Sequence, residues 1–186
     1  MTVSDINVSR YRDIDSPSLV QLLARFGIVL DHSPAGAPIP GSFWGDEEAG
    51  LLGNRLMARE DTPLHSILHE ACHYICMEQD RRSGLDTDAG GDYDEENAVC
   101  YLQILLADHV TGFSRDKMMA DMDAWGYTFR LGSARAWFGR DAEDARSWLL
   151  DHSLIDGEGL PTFHVRTDSR SNPGSNRSRG PESAGQ

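Results

Sequence analysis

The sequence predicts an α+β, helix-rich protein in which a small sheet precedes a series of helices. Short apolar segments separated by glycine, proline and asparagine occupy the first sixty residues, which is typical of strands and turns. Apolar residues then recur at helical spacing from residue 64 to residue 150. A chain of 186 residues, 39% hydrophobic and 25% charged, is large enough to bury a real core.

The first predicted helix begins at Ser16-Pro17, a residue pair that suits the N-cap and first helical position, and ends at Gly27. A short strand is predicted over residues 28–30, and the segment 31–45, rich in Pro, Gly and Ser, is predicted to be a loop. Residues 51–59 read as strand, with Gly53-Asn54 as a hairpin turn.

The clearest helix start follows, with Thr62 as the cap and Pro63 in the first position. An apolar stripe continues from there to about Met77. A polar loop is predicted over 80–94, and a second long helix from near Asp94. Further helices are predicted over 115–125, 134–138 and 142–150.

The chain is predicted to form one domain over residues 1–166, followed by a disordered tail. Residues 167–186 consist largely of Ser, Arg, Gly, Pro and Asn without a hydrophobic period, so they cannot bury enough apolar surface to become ordered.

The charge balance restricts the partners. Thirty acidic residues stand against 17 basic ones, a formal net charge of −13, which disfavours nucleic acid and anionic lipid. No apolar run is long enough to span a membrane, and residues 1–11 lack the apolar segment of a signal peptide.

Cys72, Cys76 and Cys100 are interpreted as buried thiols, since a cysteine zinc site would usually show CxxC spacing. We therefore expect a cytoplasmic protein.

The chemistry of the chain is concentrated in His69-Glu70-Ala71-Cys72-His73. On a helix, two histidines four residues apart project from the same face and can reach one metal ion. Glu70 would then lie where it can exchange a proton with a water bound to that metal. A catalytic zinc needs a third protein ligand, and Glu95 and Glu96 at the start of the next helix are the candidates. Periodicity favours Glu95, which shares a face with Ala98, Val99, Leu102, Leu105 and Leu106.

These two segments, Leu68-His69-Glu70-Ala71-Cys72-His73-Tyr74-Ile75 and Glu95-Glu96-Asn97-Ala98-Val99-Cys100-Tyr101 with Leu105-Leu106, resemble the gluzincin metallopeptidases. The compact ImmA/IrrE-like domains and minigluzincins are the most similar group. The resemblance covers about residues 51–106 and implies a compact zincin-like domain whose small sheet has an edge strand beside the HExxH helix. It implies that His69, His73 and Glu95 bind one Zn²⁺ and that Glu70 is the general base. It also implies that the strand 51–59 pairs with an extended peptide substrate.

The sequence departs from that family where Val99 replaces a common Asn or Asp, so one usual partner of a metal ligand is missing. No Tyr or His has a spacing that selects it as the stabiliser of an oxyanion; Tyr74, Tyr93, Tyr101, His109 and His152 are the candidates. A calcium loop over 86–97 is a weaker interpretation, because Asn97 stands where the bidentate Glu is needed.

The expected function is therefore zinc-dependent hydrolysis of peptide bonds in a peptide or protein substrate. A proteolytically silent zinc domain, or a zinc hydrolase of another amide, is the alternative. A helical interaction protein without metal is the third hypothesis.

Overall fold

The computed structural model describes residues 7–43 and 45–168. The strands are β1 (Val29–His32), β2 (Gly50–Leu52) and β3 (Arg55–Ala58). The helices are α1 (Ser16–Ala24), α2 (Leu64–Cys76), α3 (Gln79–Ser83), α4 (Tyr93–Ala107), α5 (Arg115–Trp125), α6 (Ala134–Arg140) and α7 (Glu143–Asp151), with a 3₁₀ turn at Tyr11–Asp13. The described residues thus confirm an α+β, helix-rich fold. No helix among them is long and apolar enough to cross a membrane.

The sheet has the order β1-β3-β2. β2 and β3 form the predicted hairpin, and Gly53 takes a left-handed conformation at its turn, φ +57°. β1 pairs with β3 in parallel, so the segment between β1 and β2 crosses from one edge of the sheet to the other. The predicted hairpin turn at Gly53-Asn54 is thus confirmed, and the second strand of the hairpin is the central strand of the sheet.

The outer edge of β2 is covered by the loop that follows α3. The Gly53 amide donates to the Leu85 carbonyl at 3.0 Å, and the Thr87 amide donates to the Leu51 carbonyl at 3.1 Å. Leu52 and Asp86 form an antiparallel bridge. The edge expected to receive a substrate backbone is thus already hydrogen-bonded to residues 85–87.

Two predicted helix starts are wrong by one residue, and the polar side chains nearby explain why. The N-cap of α1 is Asp15, whose carboxylate accepts from the Ser18 amide at 3.0 Å. α2 begins at Leu64 with Pro63 as its N-cap, while the Thr62 hydroxyl accepts from the Arg59 amide at 2.9 Å. Thr62 therefore closes the turn before the helix and caps nothing in it.

The core forms around α2 and α4, which pack against each other, while α2 also contacts β2 and β3 and α4 contacts α5 and α7. α4 is buried on most of its circumference, including six consecutive positions from Leu102 to Ala107. α4 is therefore a central helix. The helix that carries the two histidines is held between the sheet and α4.

The chain beyond α7 returns to the end of α2. The Arg166 amide donates to the Ile75 carbonyl at 2.9 Å, and the Gln79 amide donates to the Asp168 carbonyl at 3.3 Å. Thr167 and Asp168 belong to the predicted tail but are described, and Asp168 makes contacts in the fold. The rest of that tail, residues 169–186, lies outside the described residues.

Candidate metal centre

The two motif histidines converge on one point at the surface of α2. Their Nε2 atoms lie 3.1 Å apart, since residues 69 and 73 are one turn apart on the same face. His69 Nδ1 lies 2.7 Å from Gln103 Oε1, on α4. Because an amide oxygen only accepts, this contact places the proton on Nδ1 and leaves the Nε2 lone pair directed at the shared point.

The carboxylate that completes this cluster is Glu96. Its Oε1 lies 3.4 Å from His69 Nε2, and its Oε2 lies 3.4 Å from His73 Nε2. The Glu96 side chain is about half exposed and reaches over the histidines from the first turn of α4.

The structure does not bring Glu95, the residue that periodicity favoured, beside the histidines. Glu95 is buried, and its carboxylate instead binds Arg81 on two nitrogens and Arg166 at 3.3 Å. A buried carboxylate requires a cation, and here two guanidinium groups provide it. Periodicity favoured Glu95 because this residue lies at the start of an apolar face of α4. Because several faces of this central helix are buried, an apolar face does not identify the one that packs on α2.

The distances among the three side chains fit a zinc ion. Zinc holds nitrogen and oxygen ligands at about 2.0–2.2 Å, so two ligands of a tetrahedral ion lie about 3.3–3.5 Å apart. The three separations in the cluster are 3.1, 3.4 and 3.4 Å. Two imidazoles and a carboxylate are also a ligand set of catalytic zinc sites.

The charge around the cluster favours a cation. The described residues that line the two adjoining parts of the cleft include four carboxylates and neither Lys nor Arg. These carboxylates belong to Glu48, Glu70, Asp88 and Glu96. Such an excess of negative charge in a partly closed cleft attracts a metal ion.

Glu70 is the carboxylate most affected by this environment. Burial, followed by the nearby Glu48 and Glu96 carboxylates, raises its pKa to about 8. A cation in the cleft would oppose all three influences and favour the ionised form. Glu70 lines both parts of the cleft beside the histidines, as the motif predicts for the residue after the first histidine.

The two histidine rings differ in their surroundings. Burial lowers the pKa of His73 well below its usual value, and the neighbouring His69 lowers it further. The His73 Nδ1 atom is buried without a hydrogen-bond partner among the described residues. His73 is therefore a neutral imidazole, which is the form that binds metal.

Two residues of the site were missed by the sequence analysis. Gln103 takes the place of the partner expected at Val99, one turn further along α4, and is fully buried. Tyr127, just beyond α5, packs its ring 5.8 Å from the His69 ring and hydrogen-bonds the Gln103 side chain. No sequence pattern predicts either residue. Gln103 is a single polar position in an apolar helix, and Tyr127 lies in a loop far from the motif in sequence.

The remaining expectations for the site are resolved by the same geometry. Tyr74, Tyr93, Tyr101, His109 and His152 do not line either part of the cleft among the residues described. In the segment 86–97, which resembles a calcium loop only weakly, Asp92 caps α4 by accepting from the Glu95 amide at 2.9 Å, and Asp88 accepts from the Gly90 amide at 2.8 Å. These carboxylates stabilise turns and a helix end.

Comparisons with protein-family models, with curated proteins and with solved structures find no match.

Proposed function

We propose that the protein is a zinc-dependent metallopeptidase. The observation that carries the proposal is the convergence of His69, His73 and Glu96 on one point, with Glu70 in the same cleft. These three residues would hold one zinc ion per chain and leave a position for water and substrate. A zinc ion held there would polarise the attacking water and the scissile carbonyl, which no side chain in the cleft can do as strongly.

Glu70 would transfer the proton from the attacking water to the leaving amine. Its carboxylate takes a proton from the attacking water as the carbon–oxygen bond forms, and delivers it to the amine nitrogen as the carbon–nitrogen bond breaks. Its position in both parts of the cleft supports this role, since the water and the leaving amine must both reach it.

Gln103 and Tyr127, which both contact His69, would support the reaction. Gln103 fixes the orientation and tautomer of His69. Burial raises the pKa of Tyr127 well above its usual value, so its hydroxyl stays protonated. Tyr127 lines the cleft beside His69 and Glu70, where a protonated hydroxyl would donate to the developing oxyanion of the substrate.

A zinc hydrolase of a smaller amide is the second candidate, and one observation favours it. The outer edge of β2 is hydrogen-bonded to residues 85–87, so it cannot receive a substrate strand as the resemblance implied. A peptide would have to bind along residues 87–90, which line the cleft.

The proposal is tested by measuring metal content and hydrolysis together. Protein produced with zinc should contain about one equivalent, and His69→Ala should lose it. Glu70→Gln should keep the metal but lose hydrolysis of a peptide library, because an amide cannot accept the proton of water. Glu158→Gln, at an exposed loop position, is the matched control and should behave as the unchanged protein. Equal hydrolysis by Glu70→Gln would contradict the mechanism. Zinc binding with hydrolysis of small amides alone would favour the second candidate.

A further inference from the structure

Cys100 lies one turn after Glu96 on α4, as His73 lies one turn after His69 on α2. Each of the two packed helices therefore presents a pair of metal-binding side chains at the spacing of one turn. The Cys100 sulfur, a ring nitrogen of His69 and a carboxylate oxygen of Glu96 all lie within 4.8 Å of one another. The thiol thus lies beside two of the three proposed ligands, and His69 and Glu96 connect it to the third, His73.

We propose that Cys100 is a fourth protein ligand of this metal centre, so that the resting site is closed by two imidazoles, one carboxylate and one thiolate. This inference rests on the proposed metal centre. It goes beyond it because a site with four protein ligands has no open position until one ligand leaves.

The chemistry of the sulfur suits the metal. Thiolate is a soft ligand that zinc binds strongly and that calcium and magnesium do not, so Cys100 would also make the site selective. Burial raises the pKa of the Cys100 thiol, and Glu96 raises it further, so the sulfur carries its proton before the metal arrives. Binding forms the metal–sulfur bond and releases that proton to solvent.

A closed site changes how hydrolysis would begin. Water or a substrate carbonyl can reach the metal only when a ligand is displaced, and Cys100 is the ligand that the HExxH chemistry does not need. Cys100 is 7% exposed, so its sulfur approaches the metal from the protein side and not across the cleft. The thiolate would therefore bind the metal in the resting protein and dissociate from it during turnover, which opens a position for water or substrate.

Cobalt(II) substitution in the full chain provides a spectroscopic test. A thiolate bound to cobalt gives an intense charge-transfer absorption in the near ultraviolet, which imidazole and carboxylate ligands do not give. The unchanged protein loaded with one equivalent of cobalt should show this band. Cys100→Ala should lose the band, while the matched variants Cys72→Ala and Cys76→Ala, at the other buried cysteines, should keep it.

A second measurement needs no substitution and remains decisive if Cys100→Ala does not fold. X-ray absorption at the zinc edge of the unchanged protein should contain one sulfur scatterer at about 2.3 Å. Zinc bound only through nitrogen and oxygen, without the cobalt charge-transfer band, overturns the assignment of Cys100 and leaves the peptidase proposal intact. Failure to bind zinc or cobalt at all overturns both.

Discussion

The choice between two adjacent glutamates defines the site at the scale of single residues. Glu96 faces the histidines, and Glu95 is held between Arg81 and Arg166. The two carboxylates are chemically identical but serve different interactions, because one residue along a helix turns the side chain by about 100°.

Glu96→Gln and Glu95→Gln should therefore have different effects, the first on zinc binding and the second on stability. Glu96→Gln should weaken zinc binding strongly while the melting temperature of the metal-free protein changes little, since its side chain is half exposed. Glu95→Gln should retain zinc but lose about 1–3 kcal/mol of stability, because two guanidinium groups lose a buried anion. Zinc titration and thermal melting of the metal-free forms measure the two effects. Loss of zinc by Glu95→Gln alone would contradict the assignment.

Tyr127→Phe should lower kcat by about 10²-fold while zinc content stays at one equivalent. The substitution removes only the hydroxyl that we expect to donate to the oxyanion, and keeps the ring beside His69. Tyr101→Phe is the matched control, because Tyr101 stacks on Phe138 away from the cleft. An unchanged kcat in Tyr127→Phe would show that another group stabilises the oxyanion.

At the scale of elements, the segment after α7 stabilises the end of the histidine helix. Arg166 lies over the Trp148 ring at 5.2 Å and binds Glu95 and Asp168, while its amide donates to Ile75. This segment links α2, α4 and α7 although it forms no regular structure.

Removing this segment should lower the free energy of unfolding much more than removing the residues beyond it. A chain ending at His164 loses every Arg166 contact, and we expect it to be about 2 kcal/mol less stable, equivalent to about 4–8 °C in melting temperature. A chain ending at Asp168 keeps those contacts and should melt within about 1–2 °C of the full chain, since its missing part lacks the apolar residues to add to a core. Comparing both chains with Arg166→Ala by calorimetry separates the arginine from the rest of the segment. Equal melting of both shortened chains would contradict the role of Arg166.

At the scale of the whole molecule, one buried histidine should make the fold sensitive to acid. His65 lies one turn before His69 and packs on Trp125 at 4.8 Å and on Tyr127 at 5.6 Å. Neither ring nitrogen has a hydrogen-bond partner among the described residues, and burial, followed by His69, lowers its pKa to about 3.

The free energy of unfolding should therefore fall as the pH is lowered from about 6.5 towards 3. In that interval the unfolded chain binds a proton at His65 that the folded protein does not, so acid favours unfolding. The contribution from His65 at pH 5 is about 2 kcal/mol relative to pH 7.5. His65→Leu should lose this part of the pH dependence, measured by urea unfolding of metal-free protein so that metal release does not contribute. The matched variant His164→Leu, near the C-terminal end of the described residues, should retain it. The same pH slope in His65→Leu would show that other groups cause the acid sensitivity.

The local elements and the HExxH residues could be predicted from the sequence. The hairpin at Gly53-Asn54, the run of helices and the position of His69, Glu70 and His73 on one helix all depend on interactions between residues close in the chain. Turn glycines, apolar periods and four-residue spacing record such interactions directly. The small helix α3 was missed because its five residues have no apolar period.

The groups that complete the site depend on how distant elements pack, which the sequence pattern does not show. α4 is buried on most of its faces, so its apolar pattern could not show whether Glu95 or Glu96 meets α2, and the two arginines that neutralise Glu95 come from α3 and the C-terminal segment. α2 and α4 pack side by side, and this packing places Gln103 and Cys100 beside His69. Tyr127, just after α5, packs on the ring of His69. The covering of β2 by residues 85–87 depends likewise on how the loop after α3 folds back. Such contacts join positions far apart in sequence, and a periodicity confined to one helix or strand carries no record of its partner.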